Sequence, residues 1–285
     1  MPIRRTISAV HHGPRLFAWH VAGDSPAADG RALLILHGAG EHSQRYVPLA
    51  KSLAQDGWTV IGFDFRGHGC SDGVSVHVRS FNDYVDDVAR VAAHFNLQPE
   101  RTAVLAHSMG GLVALSASQQ DVFRPAAMGL SAPLLSLAAE VPMWKLAIGR
   151  AVKRAWPMTR FRTSVAPTDL LLNSDCRAER EQDQLICRSL TAGWFFAVTA
   201  ASQKIWQRPS PTPLLVMQGT EDRVVCPAAA ERWVERADSD SVELWTLPGQ
   251  VHEILHEPTG RDLAHDAVGW MSSHLVQSEH LRSAA

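Results

Sequence analysis

The sequence contains no Cys-x-x-Cys pair. Its four cysteines, Cys70, Cys176, Cys187 and Cys226, lie scattered, which reads as reduced thiols in a cytoplasmic protein rather than as a disulfide framework. There is no basic block and no strong charge imbalance, with 27 basic against 29 acidic residues, so no nucleic-acid partner is expected. No apolar run is long enough to span a bilayer. The opening "MPIRRTISAVHHGPRLFAW" lacks the apolar core of a secretory signal. Internal repeats and low-complexity tracts are missing too. What remains is a globular composition, 46% hydrophobic over 285 residues, enough for one large domain with an insertion or for two small ones.

Two alternating runs, "RRTISAVHH" and "LFAWHVAG", flank "GPR" and predict an N-terminal antiparallel hairpin. The continuous apolar runs "ALLILHG" and "TVIGFDF" then predict strands buried on both faces. Between them, "RYVPLAKSLAQDG" is a helical pattern with a glycine stop. Residues 81–95 space their apolar side chains three and four apart, as an amphipathic helix does. Four more strands follow, "TAVLAHS", "AAMGLSAP", "PLLVMQG" and "SVELWTLPG", with helices at "MGGLVALSASQQ" and "RDLAHDAVGWMSSHL". The expectation is an α/β fold, an eight-stranded and mostly parallel sheet with helices on both faces. Residues 134–208 break the alternation. They show helical segments, no clear strand, and Trp144, Trp156, Trp194, Phe195, Phe196 and Trp206. The expected organisation is therefore a core in two parts, 1–133 and 209–285, with a helical lid inserted at 134–208. The lid aromatics either fill a core or wall an apolar pocket.

"LAHSMGG" (Leu105–Gly111) lies where a buried strand runs into a helix. A serine at that junction, with small residues two before and two after it, is the nucleophile-elbow pattern G-x-S-x-G. The turn is so sharp that larger flanking side chains collide with strand and helix. Here Ala106 replaces the first glycine and Gly110 keeps the second. Such a turn holds the Ser108 hydroxyl clear of the sheet at a helix N-terminus, where the dipole favours negative charge. A serine that only caps the helix is the simpler reading. Against it stands the rest of the chain, because a nucleophilic serine needs a base and a group to orient that base. "LLVMQGTEDRVV" supplies Asp222 three residues beyond the glycine that ends the seventh strand, and "LPGQVHE" supplies His252 just after the eighth. Glu221 competes with Asp222 but is one residue off. Three suitable residue types at three strand ends, in the order Ser, Asp, His, make a candidate triad.

Attack on a carbonyl puts charge on oxygen, so amide donors are also required. The N–H of Met109, next after the serine, is one. The loop "HGAGEHSQRY" after the first parallel strand offers the other, with Ala39 N–H the candidate between Gly38 and Gly40, which permit close approach. A phosphate cradle is disfavoured, since no G-K-[ST] and no G-x-G-x-x-G spacing is present. "HEILH" (His252–His256) matches the zinc-peptidase pattern H-E-x-x-H, which needs a helix presenting both histidines on one face. Pro248-Gly249 precede it and Pro258 follows closely, and the extended metalloprotease spacing fails because Gly260 comes one residue late. His252 therefore reads as the triad base, and no metal or organic cofactor is expected.

"HGAGEHSQRY", "FDFRGHGCSDG", "AHSMGG", "QGTEDRVV" and "GQVHEILHE", in that order, resemble the α/β-hydrolases of the monoacylglycerol lipase and lysophospholipase family, and "NSDCRAEREQDQLICR" is similar to part of that family's lid. The resemblance runs from Arg31 over nearly the whole chain and is weakest in the lid before about Thr168. It implies an α/β-hydrolase fold and a serine esterase that cleaves single-chain lipid esters through an acyl-enzyme, without a cofactor. Ser108, Asp222 and His252 would be its triad, with the Ala39 and Met109 amides as oxyanion hole. It further implies that Glu41 and Arg45 help bind the alcohol part of the ester; bracing of their loop by mutual charge pairing is the alternative. His256 departs by one residue from the spacing of a further family histidine and is left out of the site. Ser108 at the elbow disfavours the aspartate-nucleophile members of the fold. A broad carboxylesterase, a lysophospholipase, an aminopeptidase on the same fold and a non-catalytic binding protein are the other readings. The lid would meet a membrane surface only transiently.

Overall fold

The computed structural model describes residues 4–8, 13–22, 30–139, 142–237 and 241–283. The hairpin expected at the start is formed by β1 (Arg4–Ser8) and β2 (Leu16–Val21), antiparallel to each other, and residues 9–12 of its first run lie outside the described residues. Strand and helix then alternate: β3 (Ala32–Leu36), α1 (Val47–Gln55), β4 (Thr59–Phe63), α2 (Asn82–His94), β5 (Thr102–His107), α3 (Met109–Gln119) and β6 (Ala127–Ser131). An inserted stretch carries α4 (Met143–Ala155), β7 (Arg160–Arg162), α5 (Pro167–Leu170), α6 (Ser174–Gln182), β8 (Ser189–Thr191) and α7 (Ala192–Lys204). The alternation resumes with β9 (Leu214–Gly219), α8 (Pro227–Glu235), β10 (Val242–Leu247) and α9 (Gly260–Ser283).

Eight strands form one sheet in the order β1-β2-β4-β3-β5-β6-β9-β10. From β4 to β10 every neighbouring pair is parallel, while β2 is antiparallel to β4. Parallel neighbours need crossovers, and the helices supply them while covering both faces. The two faces can be read along β3. Leu34 and Leu36 join Val85 and Val88 of α2 and Leu112 of α3 in one core, whereas Leu33 and Ile35 join Leu53 of α1 and Met271 of α9 in another. Alternate residues of one strand thus feed two separate layers, as the two-residue period of a strand requires.

The inserted stretch departs from expectation in one respect. It holds a strand pair, β7 antiparallel to β8, with Arg162 opposite Ser189. Three residues per strand are too few for an alternation to be read, and all of β7 is exposed. Helix α7 packs Trp194, Ala197, Val198 and Ala201 into the core, while no residue of α4 is buried. Among the described residues no helix is long and apolar enough to cross a membrane.

Two histidines sit inside the fold behind the loop that follows β3. His37 places Nδ1 2.7 Å from the Gly38 carbonyl, so it donates there, and its Nε2 accepts the Phe65 N–H at 3.0 Å. Protonating Nε2 would destroy that acceptor. The His68 ring packs 5.2 Å from that of His37. Burial pushes the two imidazoles down to about 4 and about 3, respectively. In the unfolded chain both take a proton near their ordinary value, so the unfolded state binds more protons as pH falls below about 6.5. The stability they contribute is complete above that value and is lost on acidification, toward pH 4 for His37 and toward pH 3 for His68. Each is worth about 1–2 kcal/mol by pH 5. Calorimetry between pH 7 and pH 5 should therefore show the melting temperature fall by several degrees, and His68→Gln should flatten the slope. A slope unchanged by that substitution would remove His68 from the account.

Candidate active site

Ser108 joins β5 to α3 with φ 50° and ψ −114°, backbone that a residue with a Cβ adopts only when its surroundings force it. They do so from several sides. The Ser108 N–H donates to the Ser131 carbonyl at the end of β6 (2.9 Å), and the Ser108 carbonyl accepts from Leu112 (3.2 Å) and Leu134 (3.1 Å). Gly110 passes so close to β3 that a Cβ would lie 2.4 Å from the Leu36 carbonyl oxygen. The second small position of the motif therefore admits glycine alone. Ala106, at the first, is buried in the core and its methyl is simply packed there.

Asp222 and His252 follow β9 and β10. These strands run parallel to β5, so all three C-terminal ends open at one edge of the sheet, where sites form in such folds. His252 Nε2 lies 3.0 Å from Ser108 Oγ, and its Nδ1 lies 2.8 Å from Asp222 Oδ2. The other oxygen of Asp222 accepts the N–H groups of Val224 (2.8 Å) and Val225 (3.0 Å). Burial opposes ionisation of Asp222, but the hydrogen bond from His252 and these amides outweigh it and hold the carboxyl below its ordinary range. An ionised Asp222 accepts a hydrogen bond from Nδ1–H, which keeps the proton on Nδ1 and leaves Nε2 as an acceptor facing the serine hydroxyl. Glu221, the competitor, is exposed.

The loop after β3 reaches the serine. A Cβ on Gly38 would lie 3.3 Å from Ser108 Cβ. Neither the Ala39 nor the Met109 N–H makes a loop or cap hydrogen bond among the described residues. Beneath this loop lies a buried chain of charges. Glu41 accepts from the Gly38 N–H (2.5 Å) and the Tyr46 hydroxyl (2.9 Å) on one oxygen and from Arg45 (2.5 Å) on the other. The second amino group of Arg45 donates to Glu253 at 2.7 Å, and the remaining oxygen of Glu253 accepts from Arg180 Nε at 2.8 Å. Burial opposes the charge on Glu253, yet Arg45 and Arg180 hold its carboxyl down to about 2. Of the two residues expected beside the alcohol, Glu41 borders the cavity described below, and Arg45 does not. Arg45 is turned inward because two carboxylates take both its amino groups, which is the bracing arrangement.

Glu253 and His107 are additions that sequence reasoning missed. His107 lies within the elbow motif itself. Its ring sits 4.8 Å from that of His252, its Nδ1 is 3.1 Å from the Ser131 carbonyl, and burial pushes its imidazole down to about 4. Glu253 was visible only as the glutamate of H-E-x-x-H. That stretch is a loop closing in a 3-10 turn, Ile254–His256, instead of an α-helix. Its two histidines face different partners: His252 faces Ser108 and Asp222, while His256 lies 3.4 Å from Glu41 and packs on the Tyr46 ring at 4.6 Å.

Ser108 and His252 open into a cavity of about 1390 Å³. Its wall includes Trp144, Trp194, Phe195, Phe196 and Trp206, so these aromatics of the inserted stretch line a pocket, and Trp194 belongs to the core as well. Trp156 does neither and is 71% exposed.

A family model described as serine aminopeptidase, S33 matches residues 28–259. The chain is 30% identical over 258 residues to a monoacylglycerol lipase of Mycolicibacterium smegmatis, covering 88% of this chain and 91% of that one. It is 28% identical to phospholipase YtpA of Bacillus subtilis, over 86% of this chain and 95% of the other. Among solved structures, the monoacylglycerol lipase of Paleococcus ferrophilus superposes with a TM-score of 0.82 at 23% identity, covering 91% and 99% of the two chains.

The geometry around His252 makes its tautomer depend on Asp222. Asp222→Asn presents an N–H to Nδ1 and favours the wrong tautomer, so the rate at which a fluorophosphonate labels Ser108 should fall by orders of magnitude, toward the ~10⁴ known for such substitutions. Glu221→Gln should change it little. Equal, small effects at both positions would take Asp222 out of the chemistry.

Proposed function

We propose a reaction for this chain from its kinship: it belongs to the α/β-hydrolases of the serine aminopeptidase S33 family, in their monoacylglycerol lipase and lysophospholipase group. It is a serine hydrolase that cleaves the carboxylic esters of single-chain lipids, monoacylglycerols first among them. The observation that carries this reading is the unbroken hydrogen-bond chain Asp222–His252–Ser108 beside an apolar cavity. Ser108 Oγ attacks the ester carbonyl as His252 Nε2 takes its proton. The Ala39 and Met109 amides receive the oxyanion. The imidazolium, stabilised by Asp222, then protonates the departing alcohol, and water releases the acyl group by the same steps reversed.

Residues 134–208 act as the lid over a core of 1–133 and 209–285, and the lid aromatics receive the acyl chain. Glu41 and Arg45 serve the alcohol side indirectly, by bracing the loop that carries Ala39. An aminopeptidase on this fold would need a carboxylate free to meet the substrate amine. The two buried carboxylates bordering the cavity, Glu41 and Glu253, are each bonded to arginine, so such an amine would have to displace one. A lysophospholipase activity uses the same acyl site, and the relative named as a phospholipase favours testing it alongside.

The lid surface suits brief contact with a lipid interface. Met143, Trp144, Ile148, Trp156 and Met158 are more than half exposed, and Lys145, Arg150, Lys153 and Arg154 stand among them. Met143, Trp144 and Ile148 share α4 with all four cations, Trp156 and Met158 follow directly after it, and exposed apolar side chains beside cations bind at headgroup level. In vesicle flotation, Met143→Ser combined with Trp156→Ser should weaken partitioning about ten-fold while hydrolysis of a dissolved ester persists. Equal flotation of both proteins would dismiss the lid as the contact.

Substrate panels test the chemistry. Each CH₂ buried in the cavity contributes about 0.8 kcal/mol, so kcat/KM for nitrophenyl acyl esters should climb with chain length until the cavity fills and then level or fall. Monoacylglycerol should be preferred over triacylglycerol, and Ser108→Ala should be inactive on all of them. A flat chain-length profile would leave an esterase without lipid preference, and turnover by Ser108→Ala would leave no serine mechanism at all.

A further inference from the structure

One side chain of the lid enters the buried charges of the site. Arg180 of α6 donates to Glu253, the residue that follows His252, and completes the alternation Glu41, Arg45, Glu253, Arg180. The side chains are little exposed, at 2%, 10%, 4% and 14%, so water screens them poorly. Two negative and two positive charges balance. Without Arg180 the sum is negative, and Arg45 is left to serve two carboxylates.

The two ends of this chain lie at functional backbone. Glu41 holds the Gly38 N–H, and with it the loop that carries Ala39. At the other end, the Glu253 N–H donates to the Leu170 carbonyl of the lid at 2.8 Å, and Glu257 accepts the amides of Leu172 and Asn173. The Cys187 N–H donates to the Gly40 carbonyl at 2.7 Å, and His42 Nε2 meets Asp183 at 2.7 Å. The region of α6 is thus fastened to both loops that flank Ser108.

We propose that Arg180 is a positioning residue for the reaction: by closing the buried charge chain it fixes the His252 loop and, through Glu253, Arg45 and Glu41, the oxyanion loop. The inference rests on the hydrolase reading above. Around His252 stand Asp222, Ser108 and the His107 ring, and around Glu253 stand Arg45, Glu41 and His256; replacing Arg180 alters none of these directly. The surplus negative charge it leaves has two consequences. It favours the protonated base, so the reactive form of the site develops at higher pH. It also opposes the oxyanion, so the step slows even when the base is free.

The test uses the full chain and reads the rate of fluorophosphonate labelling of Ser108 against pH, with kcat and KM for a nitrophenyl ester. Arg180→Met should slow labelling about ten-fold, move the rise of the pH profile to higher pH, and lower kcat with little change in KM. Arg180→Lys should recover most of the loss. Arg177, on the same helix, bonds two backbone oxygens among the described residues, the Leu171 and Leu172 carbonyls, and Arg177→Met should leave the pH profile in place. The double variant Arg180→Met, Glu253→Gln removes a charge of each sign and should return the profile toward that of the wild type, which also decides the matter where the single variant folds poorly. Wild-type rate and profile in Arg180→Met, an equal displacement in Arg177→Met, or a double variant that stays displaced would each overturn the role of Arg180. A wild-type protein whose Ser108 is not labelled would overturn the hydrolase reading itself, and this inference with it.

Discussion

The backbone of Ser108 is the constraint on which the site depends. A φ of 50° at a residue with a side chain costs on the order of 1–3 kcal/mol and persists only where packing over-determines it. Here the Ser131 carbonyl holds its N–H, the amides of Leu112 and Leu134 hold its carbonyl, and Gly110 lets α3 close against β3. Fixing this one residue aims Oγ at His252, sets the Met109 amide at the first turn of α3, and ties down Leu134, where the chain leaves the sheet toward the lid. Strain at a single position is thereby shared by sheet, helix and lid.

The sheet was legible because fully buried strands are continuous apolar runs. In β3 both residue parities are apolar, and each parity meets its own helical layer. The juxtaposition of Ser108, Asp222 and His252 was legible because parallel strands end at one edge, so residues after β5, β9 and β10 converge whatever their separation in sequence. The strand pair β7 and β8 was not legible. Arg160, Phe161 and Arg162 are all exposed, and a three-residue strand with no buried face leaves no pattern. Nor was the buried charge chain. Arg45 meets Glu253 across 208 residues, and Glu253 meets Arg180 across 73. A local charge pattern can report pairing within one helical turn, as between Glu41 and Arg45, but has no register between distant segments.

The inserted stretch is unequal in its two halves. Buried ion pairs add little net stability, because desolvation offsets attraction, but breaking one partner is costly, so they hold geometry firmly. That describes α6. Neither helix has a buried residue, but Arg180 ties α6 to Glu253, whereas α4 holds Met143, Trp144 and Ile148 largely in solvent. The region of α6 is the part bonded to the loops that flank Ser108.

The stretch from His252 to Glu257 shows why a motif cannot be separated from its secondary structure. On an α-helix, residues four apart share a face, and two histidines with a glutamate between them can serve one metal. In a loop closed by a 3-10 turn that spacing no longer brings them together. The glutamate that would act as base on a helix is here bonded by two arginines, and its low proton affinity makes it unfit for proton transfer at neutral pH. What the stretch does carry is connectivity. His252 faces Ser108, Glu253 joins the loop after β3, through Arg45, to α6, His256 packs on Tyr46, and Glu257 holds the amides before α6. Adding or removing one residue within it would misplace His252, the loop after β3 and the segment before α6 together, because all three are bonded to the same six residues.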